Sequence, residues 1–232
     1  MTGSGETGSR HERQAAGAGQ RDFLLAVITR PDFFPDEEGL ITGLFEAGLM
    51  KLHLRKPGAG RSALEGLLKR LAPSWADRLV LHGSAELAVQ YGLSQVHGSV
   101  KLREGKGRSG GGPVLESEGW LSTEGLGRRA VSTSVHSWEE FAALPDGLAY
   151  AFISPLFDSI SKRGYGAHSK LLEQPAGDLP CLPMGLGGIG GETIGEMIRR
   201  GWKGAAVLGW IWNHPQEAVQ RFEQLKKIID EQ

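Results

Sequence analysis

The stretch CLPMGLGGIGGETIGEMIRRGWKGAAVLG, residues 181–209, decides the fold. It opens on a short apolar run (181–187), turns through glycines, and continues from Glu192 to Arg200 with Ile194, Met197 and Ile198 at helical spacing. It then closes on a second apolar run (205–209). Strand, helix and strand within so few residues form a βαβ unit, whose two strands must lie parallel.

The same unit recurs outward from this segment. Six further apolar runs precede it: FLLAVIT (23–29), LMKLHLR (49–55), RLVLH (78–82), SQVH (94–97), RAVSTS (129–134) and AYAFIS (149–154). Between and after them lie stretches with apolar residues at helical spacing, Glu38–Ala47, Ser62–Leu71, Ala85–Tyr91, Ser137–Ala143 and Pro215–Ile229. Eight strands at roughly 26 residues per unit approach the size of a whole barrel. The expected fold class is therefore α/β, a (β/α)8 TIM barrel, with an open doubly wound sheet as the competing arrangement.

One domain is expected over residues 22–232. Residues 1–21 hold no aromatic or branched aliphatic side chain and read as a disordered tail. Residues 102–113, LREGKGRSGGGP, read as a flexible surface loop inserted in the barrel. The chain carries 26 Lys+Arg against 27 Asp+Glu, and without a basic cluster there is little electrostatic reason to bind nucleic acid or an anionic membrane. No apolar run approaches the roughly 18 residues of a membrane span. The single cysteine, Cys181, excludes a disulfide framework within the chain and suits a reducing compartment, so the expected location is cytoplasmic.

Barrel strands are covered outside by helices, so their polar residues should point inward, and active sites of this fold sit at the carboxyl ends. Leu52 and Leu54 share one parity while Lys51, His53 and Arg55 share the other. By the same reasoning His82, His97, Ser134 and His136 join His53 and Arg55 inside. Four histidines at consecutive strand ends raise the question of a metal. No Asp or Glu accompanies them and no pair has the short spacing of a helix-borne zinc site, so hydrogen-bonded, partly buried histidines are expected and no metal ligand is assigned.

Glycines let backbone N–H groups approach an anion, and barrels frequently bind phosphate at their last two loops. The run Gly185-Leu186-Gly187-Gly188-Ile189-Gly190-Gly191 after the seventh strand, with Gly209 after the eighth, is therefore the expected phosphate site. The loop after the sixth strand adds Ser154, Ser159, Ser161, Lys162 and Arg163, which suit a second anion or the edge of a substrate. The six tryptophans are expected to pack rather than to stack on ligands, with Trp210 and Trp212 near enough to Gly209 to border the mouth or a subunit contact.

LHLRKP (52–57), SVHSWEE (134–140), SPLFDSISK (154–162) and GGI (187–189), in this order, resemble the thiamine-phosphate synthase/TenI family over about residues 23–212. The resemblance implies a (β/α)8 barrel that binds a thiazole phosphate. Synthases of the family join that phosphate to a pyrimidine diphosphate with Mg²⁺, and TenI members tautomerise a thiazole carboxylate phosphate without a cofactor. It further implies Gly187, Gly188 and Gly209 as the phosphate grip, and Ser134, Ser159 and Ser161 as substrate hydroxyls. Lys162 matches the lysine that meets the diphosphate, and Arg55 the arginine of the pyrimidine site. A homodimer is a further implication. The chain departs from the synthase pattern at His82-Gly83, where Asn-Asp is usual, at Gly98-Ser99-Val100, where a magnesium-binding Asp is usual, and at Pro57, where a lysine is usual.

Mg²⁺ wants hard carboxylate oxygens, so these departures weaken the diphosphate half of the site. Asp158, Glu86 or Glu104 are the acids left to replace a ligand. The leading expectation is a TenI-like aminothiazole tautomerase in which His136 shuttles a proton, as an imidazole with an ordinary pKa near ~6.5 can do. The alternatives are a thiamine-phosphate synthase using Lys162 and Arg55 with Mg²⁺, and a phosphate-binding or regulatory relative without catalysis.

Overall fold

A computed structural model of the chain describes residues 23–101, 114–116, 121–122, 130–158 and 170–232. The expected tail (1–21) and loop (102–113), together with Ser159, Ser161 and Lys162, lie outside the described residues. Eight parallel strands close into a barrel in the order β1 (Leu24–Ile28), β2 (Lys51–Leu54), β3 (Leu79–His82), β4 (Gln95–His97), β8 (Ala130–Val135), β9 (Tyr150–Ile153), β10 (Leu182–Leu186) and β11 (Gly204–Val207). β11 then pairs back onto β1, Leu24 opposite Gly204 and Val27 opposite Val207. Closure removes every sheet edge and separates two cores, one within the barrel and one between strands and helices.

The helices are α1 (Glu37–Glu46), α2 (Arg61–Trp75), α3 (Ala85–Gln90), α4 (Trp138–Ala142), α5 (Ile194–Arg199), α6 (Gly209–Trp212) and α7 (Ala218–Asp230). Strand parity sorts as expected: Leu52, Leu54, Leu79 and Leu81 join the outer core. Ala26, Ile28, Tyr150, Phe152, Met184 and Ala206 form the inner one. α2 runs four residues past Leu71, carrying Pro73 inside it. Leu64, Leu67, Leu68 and Leu71 hold its buried face against the barrel, where each fully buried leucine is worth about 1.5–3 kcal/mol.

After β4 the chain leaves the barrel for a small antiparallel sheet, β5 (Ser99–Lys101), β6 (Val114–Glu116) and β7 (Leu121–Ser122). Ser99 pairs with Glu116 and Lys101 with Val114, so the segment expected as a plain inserted loop is flanked by paired strands.

The tryptophans pack. Trp202 is buried and donates its indole N–H to the Leu172 carbonyl at 3.0 Å; Trp212 donates to the Ile28 carbonyl at 2.7 Å. Trp210 lies over Gly190 and Gly191, where a Cβ on Gly190 would come within 2.5 Å of its ring. Among the described residues no helix is long and apolar enough to cross a membrane.

Candidate functional site

Among the described residues, two cavities open at the carboxyl ends of the strands. The larger, about 850 Å³, is lined by Arg55 and Lys56 after β2, His82 and Gly83 after β3, His97 and Gly98 after β4, and Ser134 on β8. The smaller, about 410 Å³, is lined by Pro155 and Phe157 after β9, Gly187 and Gly188 after β10, and Gly209 and Asn213 after β11. The barrel order β2-β3-β4-β8 | β9-β10-β11 thus assigns each cavity its own arc of strands.

The glycine cavity is built by close approach. Gly187 and Gly188 have φ of +96° and +65°, a region that L side chains rarely adopt. A Cβ on Gly188 would lie 2.4 Å from the Asp158 carbonyl oxygen. Backbone bonds from Leu156 N to Leu186 O (3.0 Å) and Phe157 N to Gly187 O (3.2 Å) hold the β9 loop against the glycine turn. Thr193 Oγ1 fixes the far side of that turn, donating to the Gly188 carbonyl at 3.1 Å and accepting from Gly190 N at 3.0 Å. Gly209 begins α6 and has open room, its nearest neighbour Asn213 lying 3.5 Å from a built Cβ.

His136 follows β8 and stands between the two arcs. Its Nδ1 donates to the Ser154 carbonyl at the end of β9 (3.1 Å), which leaves Nε2 as the lone-pair nitrogen. Glu140 accepts the His136 backbone N–H at 2.7 Å, and Ser137 caps α4 by accepting from Glu140 N at 3.0 Å. The ring is exposed and lines neither cavity; it follows β8, the strand between the two arcs. Ser154 is half-buried beside it, its Oγ 3.5 Å from His136 Nδ1.

Arg55 is exposed at the larger cavity and has no carboxylate partner among the described residues. Lys56, the neighbouring cation, is not free. Its ammonium is buried, ion-paired with Glu37 and bonded to the carbonyls of Arg30 (3.0 Å) and Asp32 (2.8 Å). Burial pushes the Glu37 carboxyl up and the Lys56 ammonium down, and their mutual attraction opposes both shifts. Sequence alone could not distinguish this structural lysine from a substrate lysine. Glu86, the carboxylate lining the larger cavity among the described residues, is tied to Arg61 at 3.2 and 3.3 Å.

Beneath the larger cavity the predicted inward histidines meet. His53, placed by its parity at the carboxyl-end interior with Arg55, is fully buried and lines neither cavity. Its Nδ1 lies 2.9 Å from His82 Nε2 and its Nε2 2.7 Å from the Tyr150 hydroxyl. His97 Nδ1 meets Ser132 Oγ at 2.9 Å and Nε2 meets Ser134 Oγ at 3.0 Å. Burial keeps all three rings neutral, with His97 pushed down to about 3 and reinforced by the nearby Arg55 charge. Ser132 and Tyr150 were not singled out as partners in the sequence, although Ser132 shares the inward parity of Ser134.

No known family profile matches the chain, and no curated protein matches it in sequence. Among solved structures it is similar to a thiamine phosphate pyrophosphorylase from Bacteroides thetaiotaomicron, 27% identical, TM-score 0.62, covering 89% of this chain and 97% of that one. The fold is also shared with the thiamine phosphate pyrophosphorylase from Pyrococcus furiosus, 19% identical, TM-score 0.68, covering 91% and 98%. The tryptophan synthase A-subunit from Pyrococcus furiosus has the same fold at 13% identity and TM-score 0.59, covering 92% and 98%. The class of protein is thus a TIM barrel whose solved relatives include thiamine phosphate pyrophosphorylases.

Proposed function

We propose that the protein is a thiamine-phosphate-synthase-like transferase, joining a pyrimidine carried on a diphosphate to a thiazole phosphate. The observation that carries this reading is that, among the described residues, two cavities of about 410 and 850 Å³ open on neighbouring arcs of the barrel. A tautomerase needs room for one phosphorylated ring, whereas two cavities suit two substrates brought edge to edge. The 27% identity to a thiamine phosphate pyrophosphorylase supports the same choice over the tautomerase.

In this reading the Gly187-Gly188 turn and Gly209 offer backbone N–H groups to the thiazole phosphate. Arg55 faces the diphosphate in the larger cavity, where a fixed guanidinium matches phosphate oxygens bidentately. Lys162, Ser159 and Ser161, outside the described residues, are the sequence's further diphosphate and hydroxyl ligands. Ser134 lines the larger cavity and orients the pyrimidine side. The reaction breaks the bond from the pyrimidine methylene carbon to the diphosphate oxygen and forms a bond from that carbon to the thiazole nitrogen. The diphosphate leaves with the bonding electron pair, and the positive charges around it stabilise that departure.

The described residues do not fit Mg²⁺. Its hard-oxygen preference finds one lining carboxylate in the larger cavity, Glu86, already held by Arg61.

A second reading keeps the tautomerase, because the Ser154 carbonyl holds His136 in the tautomer with a free Nε2 at the rim. That nitrogen could take a proton from a thiazole ring carbon and return it to nitrogen. One assay separates the two: thiazole phosphate with hydroxymethylpyrimidine diphosphate, read as thiochrome, alongside the thiazole carboxylate phosphate tautomer, read by its ultraviolet spectrum. Thiamine phosphate formation bears out the transferase. Tautomer conversion without coupling replaces it by the second reading, and neither reaction with thiazole phosphate still bound leaves a binding protein. The expected place of action is the cytoplasm, with a homodimer as the expected assembly.

A further inference from the structure

We infer that His53, His82 and His97 form a three-imidazole site for a divalent transition metal such as Zn²⁺, Ni²⁺ or Co²⁺ at the floor of the larger cavity. From the sequence no metal is assigned, because no Asp or Glu accompanies the histidines and no pair has the spacing of a helix-borne zinc site. The barrel brings one ligand nitrogen of each to within 4.8 Å of the others. Imidazole nitrogen suits Zn²⁺, Ni²⁺ and Co²⁺ and is a poor match for Mg²⁺.

The hydrogen bonds around the cluster present lone pairs inward. Ser132 donates its hydroxyl proton to the Val96 carbonyl at 3.3 Å, so it must accept from His97 Nδ1–H. That leaves His97 Nε2 as a lone pair directed at Ser134 and the cavity. The Tyr150 hydroxyl sits 2.7 Å from His53 Nε2. When it accepts His53 Nε2–H, the Nδ1 lone pair faces His82 Nε2, 2.9 Å away. Metal-bound histidines are usually held in this way, the second ring nitrogen fixed by an outer partner. Neutral imidazole is the form that ligates a metal.

The rings require one adjustment. His82 and His97 stack with centroids 4.1 Å apart and planes 24° from parallel, whereas the other two pairs cross at 72° and 76°. Binding one ion requires His82 to turn so that its in-plane lone pair meets that of His97. It has room to do so, because it is half-buried in the cavity wall while His53 is enclosed. Three protein ligands leave a position open to the cavity, where a water or an anionic oxygen beside Arg55 completes the coordination. The site stands on the cluster alone and holds whichever reaction the mouth performs.

The test is titration of the chelator-treated full chain with Zn²⁺ by calorimetry and with Co²⁺ by visible absorption. Expected are one ion per chain and the intense absorption of four- or five-coordinate cobalt. His82→Ala and His97→Ala should each weaken Zn²⁺ binding more than about tenfold, and Ser132→Ala about tenfold through His97. His214→Ala, on the surface away from the cluster, should leave it unchanged. Circular dichroism checks that each variant folds, and the cobalt spectrum of the unsubstituted chain decides the matter independently of them. Absence of stoichiometric binding, a six-coordinate cobalt spectrum, or undiminished affinity in folded His82→Ala and His97→Ala overturns the assignment.

Discussion

At the residue scale the glycines of the smaller cavity are unequal. Gly188 combines a left-handed backbone with a carbonyl 2.4 Å from its missing Cβ, whereas Gly209 has ordinary room. Gly188→Ala is expected to cost at least about 1–2 kcal/mol and to close the phosphate cradle. Gly209→Ala should stay within about 0.5 kcal/mol of the parent. Urea denaturation of both variants, paired with titration of thiazole phosphate, measures the contrast; equal destabilisation would refute it. His136→Ala should abolish any tautomerisation and leave phosphate binding nearly intact, because the ring stands on the rim and not in the glycine cavity. Unchanged tautomer turnover in that variant would remove His136 from proton transfer.

At the scale of elements, two contacts fix the geometry of the mouth. Lys56, just past β2, reaches the carbonyls of the loop after β1 and pairs with Glu37 at the start of α1, both charged side chains being buried. Lys56→Met leaves the Glu37 carboxyl buried and unpaired, an expected loss of about 3–5 kcal/mol. Glu37→Gln combined with Lys56→Met should recover most of it, and denaturant midpoints of the three variants check this. Ser137 caps α4 one residue beyond His136. Ser137→Ala should cost about 1 kcal/mol, seen as a lower thermal midpoint.

For the whole molecule, acid stability is tied to the histidines under the larger cavity. Their folded-state basicity is depressed, so the unfolded chain binds more protons once pH falls below the ordinary histidine value near ~6.5. Stability of the metal-free chain is therefore full above that value and declines as pH falls toward about 3, where His97 itself takes a proton when folded. Each histidine adds a slope of about 1.4 kcal/mol per pH unit inside the window. Urea midpoints between neutral and mildly acidic pH should show the fall, and His82→Gln should reduce its steepness.

The sequence by itself determined the strand and helix order, the inward parity of the histidines and serines, and the glycine turns. These are local matters, fixed by hydrophobic period, turn chemistry and the covering of barrel strands on one face. It did not expose the pairing of strands around residues 99–122, whose register depends on partners distant in the chain. Nor did it separate Lys56 from the substrate cations or His53 from the mouth, because depth within the barrel depends on the stagger of neighbouring strands. The meeting of His53, His82 and His97 with Ser132 and Tyr150, and the division of the mouth into two cavities, were decided by closure alone. Residues far apart in sequence become neighbours only when parallel strands curl round and the last pairs with the first.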